Sequence, residues 1–366
     1  MSRLTTKGLA GVEADDTTLS HVEGEIGRLS YRGYEIGELV DLPLEHVLWL
    51  LLTGDLPSAS EARAFSGWCA EVAPLSEADR ARVADLAGAA AHPMDALQAA
   101  LPVLDRSGPD APLPDFGEHE GLRLAVRSAA VVAMLAGGGE ASGDDHCTRF
   151  LTAVLGRAPT RVQRDAFTRT QILQLDHGFN AGTFAARVVA STRAGTPAAL
   201  SAAVGALSGV LHGGADQAAL ADAREVGAPE DAAAFVDACL ASGRRVMGMG
   251  HREYRVVDPR ARVVRGLAEA LATGGELENV YATLRALEDA FEARMAERGK
   301  ALHANLEFYK SIVYLACGIP EDCFTATFAT ARIFGWVAHV AEARASGTII
   351  RPAARWTGSA PRRRAA

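Results

Sequence analysis

Apolar side chains recur every three or four residues along much of this 366-residue chain, and glycine repeatedly follows the end of such a run. An apolar run covers residues 46–53 and precedes Gly54. Residues 229–243 open with proline and two acids and close with glycine, and apolar positions step by three or four through 280–295. This is the period of an α-helix, with the proline, acids and glycine placed where helix ends favour them. The pattern predicts an essentially all-α chain.

Signals for other structure are few. Short strands are predicted at residues 28–32 and 348–351, and loops at 106–120 and 136–145, where glycine, proline and small polar residues cluster. Aromatic residues make up only 6% of the chain while alanine is abundant, which favours closely packed helices over sandwiched sheets. A chain of 366 residues exceeds the usual size of one core, so we expect one large or two unequal domains.

Bulk properties exclude several classes of function. The net charge of -8 gives no general attraction to nucleic acid, although arginines focused into one cleft could still hold a small anion. The five cysteines are scattered without a C-x-x-C pair, which is typical of buried free thiols. The sequence begins without the apolar stretch of a signal peptide and has no run of about 18 apolar residues. We expect a soluble cytoplasmic protein without membrane partners.

Four segments place a histidine or an acid among glycines or other small residues: 175–180, 210–216, 248–255 and 305–309. Glycine beside a histidine lets a ligand approach the backbone and lets amides point at an anion. Arg260, Arg332 and Arg351 stand in three further segments, and guanidinium groups suit bidentate binding of carboxylates. Together these residue types predict proton-transfer chemistry on a small polycarboxylate.

Other chemistries lack their motifs. The sequence contains no H-E-x-x-H, no G-x-S-x-G and no Walker loop. The histidines are far apart and lack the spacing of metal ligands, so no metal site is predicted, although one remains an alternative. The glycines around residue 250 do not follow a convincing strand, which disfavours a dinucleotide-binding fingerprint.

Several long motifs, in order, resemble those of the citrate synthase family, which includes the 2-methylcitrate synthases. The strongest are Leu-His-Gly-Gly-Ala from residue 211, Gly-His-Arg-x-Tyr from 250 with Asp-Pro-Arg-Ala from 258, and the phenylalanine- and arginine-containing segment 324–339. The similarity runs from Gly8 to Gly358. It implies an all-α, two-domain fold in which residues 213–312 form a small helical domain inserted into a large one, 1–212 and 313–366.

The resemblance also implies a mechanism. His212 would hydrogen-bond the thioester carbonyl of acetyl-CoA, Glu307 would take the methyl proton, and His251 would polarise the keto group of oxaloacetate. A thioester methyl is a very weak acid, so the developing enolate needs a placed donor as well as a base. Citrate and free CoA would follow condensation and thioester hydrolysis. No metal or organic cofactor is implied, because the CoA thioester is a substrate.

Binding residues follow from the same resemblance. The oxaloacetate carboxylates would be held by His177, Arg260 and Arg332, with Arg351 reaching in from the partner subunit of a homodimer or higher homo-oligomer. Asn305 would shape the acetyl end of the site. The CoA adenine and phosphates would be bound by the following residues: Val246, Gly248, Gly250 and Arg255.

Glu307 departs from the family pattern, in which the base is normally an aspartate within Asn-x-Asp-Phe-Tyr. Glutamate keeps the acid but adds a methylene, and a misplacement of ~1 Å can cost roughly 10²-fold in rate. We interpret Glu307 as a substitute base. The alternatives are a 2-methylcitrate synthase using propionyl-CoA, a weakly active enzyme, and a non-catalytic helical paralogue with a binding or regulatory role. His339, although it lies in a matching motif, is expected to be structural.

Overall fold

Helices supply nearly all of the regular secondary structure in this computed structural model, which describes residues 7–9 and 11–360. Sixteen α-helices lie in that part of the chain. They are α1 Ile36–Leu39, α2 Leu44–Thr53, α3 Ala59–Val72, α4 Glu77–Ala89, α5 Pro93–Ala100, α6 His119–Leu135, α7 His146–Leu155, α8 Arg161–Ile172, α9 Ala181–Ser191, α10 Thr196–Leu207, α11 Ala215–Val226, α12 Ala232–Ser242, α13 Pro259–Ala272, α14 Glu278–Glu297, α15 Leu306–Ala316 and α16 Phe324–Ser346. Three 3₁₀ turns cover Lys7–Leu9, Pro229–Asp231 and Glu321–Cys323. The predicted all-α class is confirmed.

One small sheet precedes the helices. Its strands are β1 Ser20–Glu23, β2 Arg28–Tyr31 and β3 Tyr34–Glu35, antiparallel and in sequence order. Strands β1 and β2 form a hairpin in which Ser20 pairs with Tyr31 and Glu23 with Arg28. Residue 32 adopts a positive φ of 49° and ends β2.

The three helices predicted from periodicity are confirmed as α2, α12 and α14. Gly54 (φ 104°) and Gly243 (φ 75°) take the left-handed conformation at the C-termini of α2 and α12, as glycine can without a Cβ clash. The proline and acids at 229–231 form a 3₁₀ turn, so α12 itself begins only at Ala232.

The strand predictions had a mixed outcome. Residues 28–32 contain β2, which is confirmed, whereas the strand predicted at 348–351 is wrong. That segment follows α16 as mostly exposed chain without regular structure, and its Ile350 N–H donates to the Ser191 hydroxyl (3.1 Å) at the end of α9. No strand runs beside it in the described residues, so its β-branched side chains have no ladder to join.

Helix α16 forms the centre of the core. Every residue from Phe324 to Val340 is buried, and the helix packs against α6, α9 and α10. A helix that is apolar on all sides is expected only in such an interior position. Two ionisable side chains nevertheless lie within its buried stretch, Arg332 and His339, and both are enclosed.

Helices α11 to α15 pack on one another, with α15 contacting α11, α13 and α14 as well as α8. An isolated antiparallel bridge joins Met249 to Ala304, so the loop before α13 is paired with the chain just before α15. Among the described residues, no helix is long and apolar enough to cross a membrane.

Candidate active site

The predicted histidines and Glu307 lie in loops or at the start of a helix, whereas Arg332 lies within one. His177 stands between α8 and α9, His212 in the turn before α11, and His251 in the loop before α13. Glu307 belongs to the first turn of α15, and Arg332 to the middle of α16.

His177 and His251 come together around Tyr254, although 74 residues separate them in sequence. The His177 Nε2 atom lies 3.1 Å from the Tyr254 hydroxyl, and the two imidazole centroids are 5.3 Å apart. Burial, followed by the charge of Arg260, lowers the pKa of His177 well below 6.5. The ring is therefore neutral at physiological pH.

The backbone sets the tautomer of His251. Its Nδ1 accepts hydrogen bonds from the backbone N–H groups of Glu253 (3.0 Å) and Tyr254 (3.3 Å). Burial and then Arg260 lower the pKa of His251, so the neutral ring carries its hydrogen on Nε2. That atom lies 3.3 Å from Nη2 of Arg260. Two donors facing each other cannot share a hydrogen bond, so both are available to an oxygen placed beside them.

Arg260 is held by Asp258. The guanidinium Nε and Nη2 donate to the two carboxylate oxygens at 3.0 and 2.8 Å, and both side chains are buried. The same carboxylate caps α13 by accepting the Arg260 backbone N–H (2.9 Å), and Pro259 occupies the first helical position. Burial acts to raise the pKa of Asp258, but Arg260 outweighs it and the pKa lies below 3.8. The pair thus fixes the guanidinium beside His251.

Arg332 is buried without such a partner. Its side chain is 3% exposed, its Nε donates to the Gln174 carbonyl (2.5 Å), and its Cζ lies 4.7 Å from the Phe328 ring centroid. It forms no salt bridge with a carboxylate of the described residues. Burial lowers its pKa from 12.5, which is the signature of a cation removed from water without full compensation. An anionic ligand would supply the missing partner.

The turn that contains His212 has an exposed part and a part that faces the interior. Val210 and Leu211 are 88% and 94% exposed, whereas His212 turns inward, and its Nε2 accepts the Gly182 backbone N–H at 3.4 Å. That amide belongs to the first turn of α9, where N–H groups have no partner within the helix. Burial and Arg332 lower the pKa of His212, with Glu307 opposing them. The neutral ring therefore carries its hydrogen on Nδ1.

Asn305 joins α15 to the glycine loop. Its Oδ1 accepts the Glu307 backbone N–H (3.0 Å), which caps the helix, and its Nδ2 donates to the Gly250 carbonyl (3.2 Å). Its own N–H donates to the Gly248 carbonyl (2.9 Å). Asn305 therefore fixes the loop relative to the first turn of α15.

The carboxylate of Glu307 is half-buried and makes no hydrogen bond or salt bridge within the described residues. Its charge acts on His212, His251, Arg260 and Arg332, raising the pKa of each against the effect of burial. The charge of Glu307 thus acts on all four of these predicted site residues, and its oxygens have no partner in the described residues.

The residues predicted to bind CoA divide into two groups. Val246, Gly248 and Gly250 lie in one loop, and both glycines have positive φ (75° and 87°). A Cβ on Gly248 would meet the Phe308 ring at 2.8 Å, so the loop needs glycine for both conformation and space. Arg255 lies apart on the exposed surface, its Nη1 donating to the Arg252 carbonyl (3.1 Å).

Arg351 does not lie close to the other predicted site residues. It lies in the exposed segment after α16, next to Ile350, which contacts the C-terminal end of α9. The His212 contact is at the N-terminal end of that eleven-residue helix, about 15 Å away at 1.5 Å per residue. Within one chain, Arg351 is therefore outside the cluster.

Residues that the sequence did not single out complete the cluster. Tyr254 bonds His177, Asp258 holds Arg260, and the Gln174 carbonyl receives Arg332. Tyr254 and Asp258 stand within the quoted motifs, three and seven residues after His251, so their proximity was a usable signal. Gln174 acts through its backbone, which no sequence pattern marks. His339, expected to be structural, is enclosed between Asp176 (3.1 Å) and Arg187 (3.2 Å).

Comparisons with known proteins show the family of the chain. The family model described as "Citrate synthase, C-terminal domain" matches residues 8–353. The citrate synthase of Haloferax volcanii is 34% identical over 98% of this chain and 97% of that protein. The 2-methylcitrate synthase of Mycobacterium tuberculosis is also 34% identical, over 96% of this chain and 90% of that protein.

Solved structures show the same relationship. A citrate synthase of Thermoplasma acidophilum, in a ternary complex with carboxymethyl coenzyme A and oxaloacetate, superposes with a TM-score of 0.89 at 27% identity, covering 99% of this chain and 98% of that one. The Pyrobaculum aerophilum citrate synthase gives 0.86 at 32% identity, covering 97% and 93%. The fold is thus the all-α, two-domain fold of a class of enzymes that transfer acyl groups. The chain belongs to the citrate synthase family.

Proposed function

We propose that this enzyme condenses acetyl-CoA with oxaloacetate to give citrate and free CoA, a reaction of the tricarboxylic acid cycle. The observation that carries the proposal is that the charge of one carboxylate without a partner in the described residues, Glu307, acts on two neutral histidines and two buried arginines. Such a set suits a dianionic oxo acid next to a carbon that must lose a proton. Relatives named citrate synthase support the choice of reaction.

Oxaloacetate binding is assigned to His177, His251, Arg260 and Arg332. The Nε2–H of His251 and the facing Nη2 of Arg260 converge on one position, which suits the keto oxygen or the adjacent carboxylate. Arg332 lacks a carboxylate partner among the described residues and suits the second carboxylate. Because both charges are buried, their attraction for a dianion is screened less than at the surface.

Enolisation is assigned to Glu307 and His212. Glu307 takes a methyl proton of the thioester, and the Nδ1–H of His212 donates to the thioester oxygen as negative charge develops there. The lowered pKa of His212 keeps the ring neutral, so it stabilises the enolate as a donor without first protonating it. The enolate carbon then attacks the keto carbon, and the keto oxygen, hydrogen-bonded by His251, becomes a hydroxyl group by taking up one proton, which balances the proton that Glu307 removed. Water finally hydrolyses the thioester and releases CoA.

The CoA moiety is assigned to the loop holding Val246, Gly248 and Gly250, with Arg255 near the phosphates. Two left-handed glycines expose the backbone of that loop to a ligand. Asn305, which ties the loop to α15, lies at the acetyl end. No metal or organic cofactor takes part in the proposed steps. Among the described residues, no cluster of His, Cys, Asp or Glu could hold a metal ion.

The proposal also includes the oligomeric state of the chain and its cellular location. The chain acts in the cytoplasm as a homodimer or higher homo-oligomer, and Arg351 completes the site of the partner subunit. Support comes from the exposed segment that carries Arg351, which lies far from the cluster of its own chain. Residues 213–312 form the small domain and 1–212 with 313–366 the large one, so that the site lies in a cleft that closes over substrate.

Propionyl-CoA is the second candidate substrate. Relatives named 2-methylcitrate synthase match as well as those named citrate synthase, both at 34% identity. One methylene in an apolar pocket is worth only about 1–3 kcal/mol, so selectivity depends on small differences in that pocket. The free carboxylate of Glu307 argues against the third candidate, a non-catalytic paralogue, because a retired site has no need for an unpaired, half-buried acid.

A thiol-trapping assay of the purified protein tests the proposal. CoA release from acetyl-CoA should depend on added oxaloacetate, and kcat/KM should be higher with acetyl-CoA than with propionyl-CoA. Higher kcat/KM with propionyl-CoA would establish the second candidate. If neither thioester releases CoA upon addition of oxaloacetate, the enzymatic proposal is wrong.

A further inference from the structure

The turn of the β1–β2 hairpin lies directly against the loop that carries His251. The Gly24 carbonyl accepts the Arg255 backbone N–H at 2.9 Å. A Cβ at Gly24 would come within 2.0 Å of the Glu253 carbonyl oxygen, a distance that backbone atoms cannot accommodate without movement. At the far side of the turn, a Cβ on Gly27 would meet Val256 at 2.8 Å.

The opposite end of the same hairpin holds the segment that carries His177. The Ser20 hydroxyl accepts the Gly178 backbone N–H (3.0 Å) and donates to Asp176 (2.5 Å). Tyr31, the cross-strand partner of Ser20, accepts the Asp176 N–H at 3.3 Å. Backbone and side-chain contacts therefore fix the residues on both sides of His177.

One rigid element thus contacts both histidine-bearing segments. Strand β1 begins at Ser20 and Gly24 directly follows it. The four residue steps between them span about 13 Å at roughly 3.3 Å per residue. The ladder between β1 and β2 keeps this length constant. The histidine segments otherwise meet through the side chains of His177, His251 and Tyr254.

We propose that the β1–β2 hairpin is a positioning element for the oxaloacetate site, setting the spacing between His177 and His251 through Ser20 at one end and Gly24 at the other. The inference rests on the proposed function for the identity of the ligand. None of the hairpin residues is proposed to contact the substrate. Their effect acts through the two loops, so they control oxo-acid binding and leave the thioester end of the site unchanged.

Gly24 can be tested by substitution because glycine is required there for steric reasons. Its φ is not in the left-handed region, so alanine can adopt the same backbone conformation, and the only obstacle is the Glu253 carbonyl. Gly37 in α1 is the matched control, since it too lacks a positive φ and a Cβ there would meet nothing within 4 Å. Any effect of Gly24→Ala beyond that of Gly37→Ala reports the contact with the loop.

The experiment compares the unmodified chain with Gly24→Ala, Gly37→Ala and Ser20→Ala. We expect Gly24→Ala to raise the KM and the calorimetric Kd for oxaloacetate by about tenfold, equivalent to 1.4 kcal/mol, with the KM for acetyl-CoA within threefold of the parent. Ser20→Ala, which only removes a hydroxyl, should change the same constants in the same direction. Gly37→Ala should match the parent.

Amide hydrogen exchange provides the readout that does not depend on activity. The Arg255 N–H, protected by the Gly24 carbonyl, should exchange faster in Gly24→Ala than in the parent or in Gly37→Ala. Parental Kd values for oxaloacetate in both Gly24→Ala and Ser20→Ala would overturn the proposal, as would unchanged exchange at Arg255. If Gly24→Ala does not fold, the oxaloacetate Kd of Ser20→Ala alone decides. An unmodified chain that neither binds nor turns over oxaloacetate would instead refute the proposed function.

Discussion

The Nζ atom of Lys310 lies 3.2 Å from Oδ2 of Asp216, and both side chains are 2% exposed. Lys310 follows Glu307 by three residues in α15, and Asp216 follows His212 by four in α11. The ammonium also lies 4.5 Å from the Phe328 ring centroid and 3.4 Å from Oε1 of Gln174. A buried ion pair thus joins the helix of the proposed base to the helix that follows the His212 turn.

Breaking this pair from one side should strongly destabilise the chain. Lys310→Met leaves the Asp216 carboxylate buried without its cation, and such orphaned charges cost about 3–5 kcal/mol. Urea unfolding measures the difference. Arg161→Met, in an ion pair whose arginine is 87% exposed, is the control and should change stability by less than about 0.5 kcal/mol. The double variant Lys310→Met/Asp216→Leu should recover most of the loss, and a single variant of parental stability would contradict the assignment.

Glu307→Gln should abolish turnover, because the amide keeps the size of the side chain but cannot accept a proton. Oxaloacetate binding, measured by calorimetry, should stay within about threefold, since His251 and the arginines hold that substrate. Proton exchange at the methyl group of a non-condensing acetyl-CoA complex tests the base directly. Glu307→Asp should remain active.

The control for Glu307→Gln is Glu297→Gln, an exposed acid at the end of α14. Turnover by Glu307→Gln near the parental rate would remove Glu307 from the mechanism.

Tyr254→Phe should weaken oxaloacetate binding by roughly threefold to tenfold, because the loss of a hydrogen bond worth about 0.5–1.5 kcal/mol frees the His177 ring to rotate. The KM for acetyl-CoA should not change. Tyr34→Phe, at an exposed position of β3, removes a hydroxyl away from the site and serves as control. Equal constants for the two variants would show that the Tyr254 hydroxyl does not position His177.

The buried ring of His146 should make stability fall in acid. Burial, then Arg149, lowers its pKa to about 4, so between pH 6.5 and pH 4 the unfolded chain binds a proton that the folded chain does not. Stability therefore decreases as pH falls through this window, by about 3 kcal/mol over the full range. The free energy of unfolding at pH 7 and pH 4.5 should differ less in His146→Gln than in the parent, by about 2–3 kcal/mol. The exposed control His21→Gln should keep the parental difference, and a parental difference in His146→Gln would contradict the prediction.

Arg351 should act across the subunit boundary. His251→Ala and Arg351→Ala should each be inactive, and mixing them under conditions of verified subunit exchange should restore activity. In a mixed dimer one site retains both His251 and Arg351, which predicts up to about a quarter of the parental activity if subunits assort at random. No recovery after exchange would mean that Arg351 acts within its own chain or has no role.

The helices were predictable because their signals are local. The 3.6-residue period and the glycine stops gave α2, α12 and α14 within a few residues. Strand β1 was missed because its four residues do not alternate between buried and exposed positions as those of β2 do, and β3 because two residues are too few to show a pattern. The strand predicted at 348–351 failed for the complementary reason, since β-branched residues form strands only where a neighbouring strand exists.

For the site, the motifs marked the side chains proposed to bind the substrates but not the backbone groups that hold them. Histidines and arginines stand out in a sequence because their chemistry is uncommon among small residues. The Gly24 carbonyl, the Gln174 carbonyl and the Gly182 amide act through atoms that every residue possesses. Their roles depend on the path of the backbone, and only the three-dimensional structure shows it.

Asn305 links the loop proposed to bind CoA to the turn that carries the proposed base. It caps the turn that carries Glu307 while bonding the carbonyls of Gly248 and Gly250, so the glycine loop cannot shift without displacing that turn. In the proposed mechanism, binding of the CoA nucleotide to this loop would therefore also set the position of the carboxylate that takes the methyl proton. A thioester lacking the nucleotide would lose this effect, so both its affinity and its rate of proton transfer would be lower.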